Sequence, residues 1–199
     1  MAPILKTSPG LKVIESAISG CFELQYHVAA DHRGDFVKSF NKTLFRNLGF
    51  ETEFTESFYS VSVSRVLRGM HFQRPPADHA KLLYCVSGSI LDVAVDLRRG
   101  SPTYGGYAAF ELSAEAHTAA YLPRGMAHGF YVTQGPAQVV YHVSSEYSPS
   151  HDAGIRWDSF GFDWPDKEPI ISKRDSEFQS LNEFDSPFVY TPPQTEQAS

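Results

Sequence analysis

The sequence predicts a mainly β protein, a sandwich or barrel of short strands in a single domain. Three observations carry that expectation. Aromatic residues make up 14% of the chain, with 15 Phe and 10 Tyr, side chains that suit a pleated, half-buried surface. From Glu53 onward the pattern has period two, Val61, Val63 and Arg65 alternating with Ser60, Ser62 and Ser64. Glycine and proline then punctuate the chain every eight to twelve residues or so, the spacing of sandwich and barrel turns.

The elements follow in order. Residues 1–20 are weakly patterned and read as an N-terminal extension. The domain proper spans 21–185, and 186–199 read as a flexible C-terminal tail ending in Thr191-Pro192-Pro193-Gln194. Phe22 to Val28 form a first strand, and Asp31-His32-Arg33-Gly34-Asp35 a turn. Phe36 to Leu48 read as a short peripheral helix stopped by Gly49. Leu82 to Val86 and Leu91 to Leu97 flank Ser87-Gly88-Ser89, a hairpin signature. Tyr107 to Leu112, Ala119 to Leu122, His128 to Thr133 and Ala137 to Ser144 are further short strands. After about residue 150 the pattern fades into aromatic-rich loops.

Composition sets bounds on function. With 199 residues the chain is long enough for one sizeable core. A net charge of −6 offers no basic surface for nucleic acid, so an anionic ligand would need a local cluster of Arg and Lys. The two cysteines, Cys21 and Cys85, make no disulfide framework, and Cys85 reads as a buried small hydrophobe. No window approaches ~18 apolar residues, and the N-terminus lacks a signal peptide's apolar core. No membrane span and a cytoplasmic location are therefore expected.

The chemistry concentrates in Arg68-Gly69-Met70-His71-Phe72-Gln73, followed by Lys81, then in Pro123-Arg124-Gly125-Met126-Ala127-His128-Gly129-Phe130, and finally in Tyr141. Two imidazoles, a fixed cation and a phenol suit proton transfer beside a carbonyl. Tyr141 shares a strand face with Val139 and Val143 and points into the barrel. His71 shares its face with Gly69 and Gln73, which favours a polar cavity. The Pro-x-Gly-x-x-His turn before His128 matches a sequence signature of cupin barrels. Many cupins bind a metal through a His-x-His pair and that histidine. Here His71 precedes Phe72 and Gln73, so no metal and no cofactor are expected.

Taken together, Val66–Gln73, Asp92–Gly105, Pro123–Phe130 and Gly154-Ile155-Arg156-Trp157-Asp158 resemble the dTDP-4-dehydrorhamnose 3,5-epimerase family, from about residue 22 to 180. The resemblance implies a cupin-type jelly-roll β-barrel, a homodimer, no metal, and epimerisation of nucleotide-linked 4-keto-6-deoxy sugars beside the keto group. Residue by residue, it implies His71 as base with Asp175 of Ser172-Lys173-Arg174-Asp175 as its carboxylate. It implies Tyr141 as acid, Lys81 near the keto oxygen and His128 as the second histidine. Arg68 and Arg33 are expected on the diphosphate, Arg33 reaching over from the partner subunit. Arg174 is expected to contact substrate, and Tyr147 to stack on the base.

The departures concern the nucleotide. Typical members carry Gln-Asp-Asn before the Arg-Gly-x-His strand, against thymine; here the residues are Glu56-Ser57-Phe58. A family glutamate near the base is replaced by Lys38. dTDP-4-keto-6-deoxyglucose is the first expectation for substrate, inverted at C3, C5 or both. A single-carbon epimerase of a CDP-, GDP- or UDP-linked sugar is the runner-up, and a non-catalytic or metal-dependent cupin a remote alternative.

Overall fold

The computed structural model describes residues 4–8 and 10–192. The order is β1 (Ile4–Ser8), β2 (Leu11–Glu15), β3 (Phe22–Tyr26), β4 (Val28–Asp31), β5 (Gly34–Val37), α1 (Lys42–Leu48), β6 (Glu56–Ser62), β7 (Leu67–Gln73) and β8 (Lys81–Asp96). Then come β9 (Tyr107–Ser113), β10 (Thr118–Leu122), β11 (Met126–Val143), β12 (Asp152–Gly154), α2 (Lys173–Ser176) and a 3₁₀ turn at Leu181–Glu183.

Two long strands organise the barrel. The first half of β8 lies between β10 and the second half of β11, which in turn pairs with β6. The second half of β8 lies between β9 and the first half of β11, which pairs with β7 and through it with β12. Each long strand thus serves two antiparallel sheets that face one another, the architecture of a cupin-type jelly roll. Leu83, Cys85, Ile90, Phe110, Phe130, Val139 and Tyr141 fill the space between the sheets. The outer faces are covered as well. Phe45 of α1 and Phe50 pack with Leu24 and Leu82 on one side, and Phe160, Trp164, Phe184 and Phe188 pack with Val93 and Val95 on the other. Burying both faces of β8 makes it a nearly continuous apolar run.

That burial explains the main correction. Ser87-Gly88-Ser89 is not a hairpin tip; the two runs around it form one strand, as do His128–Thr133 and Ala137–Ser144. The register slips instead, Ser89 opposing Gln134 while Ser87 opposes Gln138. Gly88 takes a φ of +71°, and a Cβ there would collide with backbone atoms of Gln134, Pro136 and Ala137. The glycine marks a bulge where both strands bend from one sheet to the other.

Other expectations shift by smaller amounts. The expected helix from Phe36 begins only at Lys42, where the Asn41 side chain accepts from the Leu44 N–H at 3.0 Å. Phe36 and Val37 belong to the β4–β5 hairpin, whose tip is the expected turn around Arg33. Ile4–Ser8 and Leu11–Glu15, expected as part of an extension, add β1 and β2 to the sheet beside β3, with Leu11 and Val13 buried. The expected tail is packed at its start. Ser186 and Phe188 are buried, Val189 bridges to Arg99, and the Arg98 guanidinium lies 5.0 Å from the Tyr190 ring centroid. The end of that tail, 193–199, lies outside the described residues. Both cysteines are buried and unpaired. Among the described residues, no helix is long and apolar enough to cross a membrane.

Candidate active site

β6, β7, β8 and β11 line a cavity of about 410 Å³ at one end of the barrel. Strand alternation decides what enters it. On β7, Met70 and Phe72 pack into the outer cluster, leaving His71 and Gln73 to line the cavity. On β11, Val139, Tyr141 and Val143 point inward as expected. On β8, Asp92 shares the inward face with Ile90 and Ala94.

The Arg-Gly-x-His glycine has a spatial role. Gly69 has a φ of +143°, and a Cβ there would stand 2.5 Å from the Gly129 Cα. Only glycine lets β7 and β11 approach this closely. The approach sets His71 directly opposite His128, and it turns the Gly69 N–H toward Asp175, which accepts it at 3.1 Å.

His71 and Asp175 form a pair, Nε2 to Oδ1 at 2.8 Å. Asp175 is buried in the short α2, where the Ser172 hydroxyl at the N-cap accepts its backbone N–H. Burial opposes its charge, but the His71 ring, the Gly69 N–H and Ser172 outweigh that and hold the carboxyl below its ordinary range. An ionised carboxylate only accepts, so the His71 Nε2 is the donor in this pair.

A second pair lies deeper. Asp92 Oδ2 is 2.5 Å from the His128 Nε2, and its Oδ1 has no hydrogen-bond partner among the described residues. Burial pushes His128 below the ordinary imidazole range, against the pull of Asp92, so the ring stays neutral. Asp92 escapes a reading of the sequence because Asp92, Ala94 and Asp96 look like the solvent side of an alternating strand. Both sides of β8 are buried, and nothing local in the sequence signals it.

Lys81 reaches the same cavity from the start of β8. Its ammonium donates to the His71 carbonyl at 3.3 Å, and among the described residues no carboxylate pairs with it. Burial pushes it down to about 8, with Asp92 and Asp152 opposing. Tyr141 is buried between Phe58, stacked at 4.8 Å and 17°, and His128, edge-on at 6.0 Å. Burial and the nearby Asp92 raise its phenol above the ordinary range, so it remains a proton source.

Near the mouth, the Arg68 Nε donates to the Ser62 hydroxyl at 2.9 Å. Glu56 accepts the Tyr147 backbone N–H at 2.6 Å. Asp152 accepts from the Tyr147 hydroxyl at 3.2 Å and from Arg174 at 2.7 Å. Of the residues singled out from sequence, His71, Lys81, Tyr141, His128, Arg68, Arg174, Tyr147, Glu56 and Phe58 line this cavity, with Asp175 behind His71. Arg33 and Lys38 do not. Arg33 sits at the exposed tip of the β4–β5 hairpin, bound to Asp31, and Lys38 faces a separate surface pocket with Tyr26 and Asn41. Sequence reasoning also missed Ser60, His79, Ser145 and Asp152, all of which line the cavity. His79 accepts at Nδ1 from the Gln73 amide at 3.2 Å. Among the described residues, no group of three or more His, Cys, Asp or Glu side chains is arranged to hold a metal ion.

Known proteins resemble this chain over most of its length. A family model described as dTDP-4-dehydrorhamnose 3,5-epimerase matches residues 15–183. A dTDP-4-dehydrorhamnose 3,5-epimerase from Shigella flexneri is 37% identical over 88% of this chain and 98% of its own. A dTDP-6-deoxy-D-glucose-3,5-epimerase from Legionella pneumophila, solved with dTDP-4-keto-L-rhamnose, superposes with a TM-score of 0.87 at 31% identity, covering 92% of this chain and all of that one. A 3′-monoepimerase from Streptomyces bikiniensis, solved with dTDP-quinovose, gives 0.79 at 34% identity over 83% and 86%. The chain is an isomerase and belongs to the dTDP-4-dehydrorhamnose 3,5-epimerase family.

Proposed function

We propose that the protein epimerises dTDP-4-keto-6-deoxyglucose at C3, C5 or both. The observation that supports this most directly is the convergence of His71, Lys81 and Tyr141 on one cavity, with Asp175 behind the base. A 4-keto group acidifies the C–H bonds on either side of it. His71 removes a proton through its free Nδ1 while Asp175 stabilises the charged ring. Lys81 balances the enolate oxygen. Tyr141 returns a proton to the opposite face, which inverts the carbon. Arg68 and Arg174 suit the diphosphate, and Tyr147 is an exposed ring on which a base can stack.

The single-carbon reading has one observation in its favour, the likeness to a 3′-monoepimerase. Both reactions use the same base and acid, and differ in how the sugar is presented.

The proposal includes a cytoplasmic homodimer in which Arg33 completes the diphosphate site of a second copy. Among the described residues the β4–β5 hairpin pairs only with itself, with Phe36 64% exposed on it. Among the described residues β6 pairs with β11 along one edge only, and near its open edge Tyr59, Val61 and Val63 are each more than half exposed. An open edge bearing exposed apolar side chains calls for a cover. Light scattering after size exclusion should give twice the chain mass; a monomer at micromolar concentration would count against it. For the reaction, incubation with dTDP-4-keto-6-deoxyglucose in D2O should place deuterium at an inverted carbon. Absence of exchange with dTDP-, UDP-, CDP- and GDP-linked 4-keto-6-deoxy sugars alike would overturn the reading.

A further inference from the structure

We propose that Phe58 is a positioning residue for Tyr141, its stacked ring fixing the phenol that delivers the proton. The inference rests on the reading of Tyr141 as that donor.

The backbone sets up the contact. Phe58 stands directly opposite Tyr141 in the β6–β11 ladder, so their side chains leave the sheet on the same face as nearest cross-strand neighbours. The Ser57 hydroxyl donates to the Tyr141 carbonyl at 2.9 Å and pins that register. The rings lie 4.8 Å apart and 17° from parallel, an offset stack that restrains both. On the Phe58 side no other ring packs against Tyr141 among the described residues. Its neighbours on the same face of β6 are Glu56, committed to the Tyr147 N–H, and Ser60, too small to act as a wall. The other ring beside Tyr141 is His128, 74° from parallel and meeting it at an edge.

The burial of the two rings differs in a telling way. Tyr141 is 6% exposed and Phe58 45%. A phenylalanine serving only the core would be buried. One serving only to stack on a nucleobase would keep its face free, and one face of Phe58 is already covered by Tyr141. With Phe58 truncated, the phenol can swing toward the mouth and water can reach its hydroxyl.

The test compares Phe58→Leu with Phe58→Tyr, which keeps the stacked ring. In D2O, Phe58→Leu should keep solvent exchange at the substrate carbon and KM within about twofold. Its inversion rate should fall about three- to tenfold, the scale of one aromatic stack, and Phe58→Tyr should restore it. A rise in KM at unchanged kcat, or an equal loss of exchange and inversion, would overturn the proposal. A readout independent of turnover is the ¹³Cζ-tyrosine resonance of Tyr141, assigned by its loss in Tyr141→Phe. In Phe58→Leu it should broaden or split and begin to titrate at lower pH than in the parent protein. An unchanged resonance and titration would refute the positioning role whatever sugar the enzyme takes.

Discussion

His71 stands directly opposite His128 across the β7–β11 ladder, yet the two imidazoles answer to different carboxylates, Asp175 at 2.8 Å and Asp92 at 2.5 Å. Their exposure divides the labour. The His71 side chain is 32% exposed and that of His128 only 5%. Burial holds His128 neutral, so it remains a fixed hydrogen-bonded wall. His71 is the more exposed of the two, and Asp175 beside it is held below its ordinary range with a backbone N–H on its other oxygen. Two chemically equivalent residues thus take unequal roles through their surroundings.

Removing the base and removing the acid should therefore have different consequences. His71→Ala should lose both solvent exchange and inversion, by roughly 10²–10⁴-fold. Tyr141→Phe should still exchange a substrate C–H with D2O while losing most inversion, because the enolate forms but is poorly reprotonated on the far face. Mass spectrometry and NMR of the recovered sugar separate the two readouts. Parental inversion rates in both variants would sink the assignment.

In the proposed mechanism Lys81 works as a cation, so its protonated form is the working one. With its ammonium pushed down to about 8 by burial, kcat should fall as pH rises through that value. Lys81→Arg should carry the same limb upward by more than one pH unit, since a guanidinium keeps its proton. Lys81→Met should cut kcat by roughly 10²–10³-fold. A pH profile in Lys81→Arg identical to that of the parent would assign the limb to another group.

His79 gives a prediction for stability. Burial, with Lys81, Arg124 and His128 nearby, pushes its imidazole down to about 3 from an ordinary 6.5, and His128 is shifted in the same direction. The unfolded chain then binds more protons than the folded one below about 6.5. The stabilising contribution is full above that pH and is lost as pH falls toward 3. Melting temperature should decline between pH 7 and 5, and His79→Gln should flatten the decline while keeping a partner for Gln73 and Ser145. Equal declines in both proteins would place the effect elsewhere.

Much of the site is readable in the chain because its chemistry sits on alternating strands. Period two places Tyr141 with Val139 and Val143, and His71 with Gln73, on inward faces without any structure. The same rule fails on β8, where both faces are buried, so Asp92 passes for a solvent residue and the Gly88 bulge for a hairpin. Residues brought in by long-range packing are also hidden. Asp175 lies 104 residues from His71, and only the family resemblance connects them. Arg33 and Lys38 are the converse case: the resemblance assigns them to the substrate, but a single chain leaves them on a hairpin and a loop away from the cavity.

The choice of nucleotide follows from what remains around the base. The family resemblance leads one to expect an amide where Phe58 stands and a carboxylate where Lys38 stands, both around thymine. An apolar ring cannot donate to thymine's carbonyls, and an ammonium cannot accept from its N3–H. Phe58 also turns one face to Tyr141, Lys38 lies in another pocket, and Glu56 is occupied by the Tyr147 N–H. In the proposed binding mode, stacking on Tyr147 is left as the main contact, and stacking tolerates any base. Discrimination of the strong kind comes from hydrogen bonds that a wrong ligand leaves unmade. Competitive binding of dTDP, UDP, CDP and GDP should therefore spread over less than about a hundredfold, roughly 2.7 kcal/mol, or favour a nucleotide other than dTDP. If dTDP binds more than a hundredfold tighter than the other three, about that same 2.7 kcal/mol, Phe58 and Lys38 are not the determinants, and thymine is read by backbone groups or by a second copy of the chain.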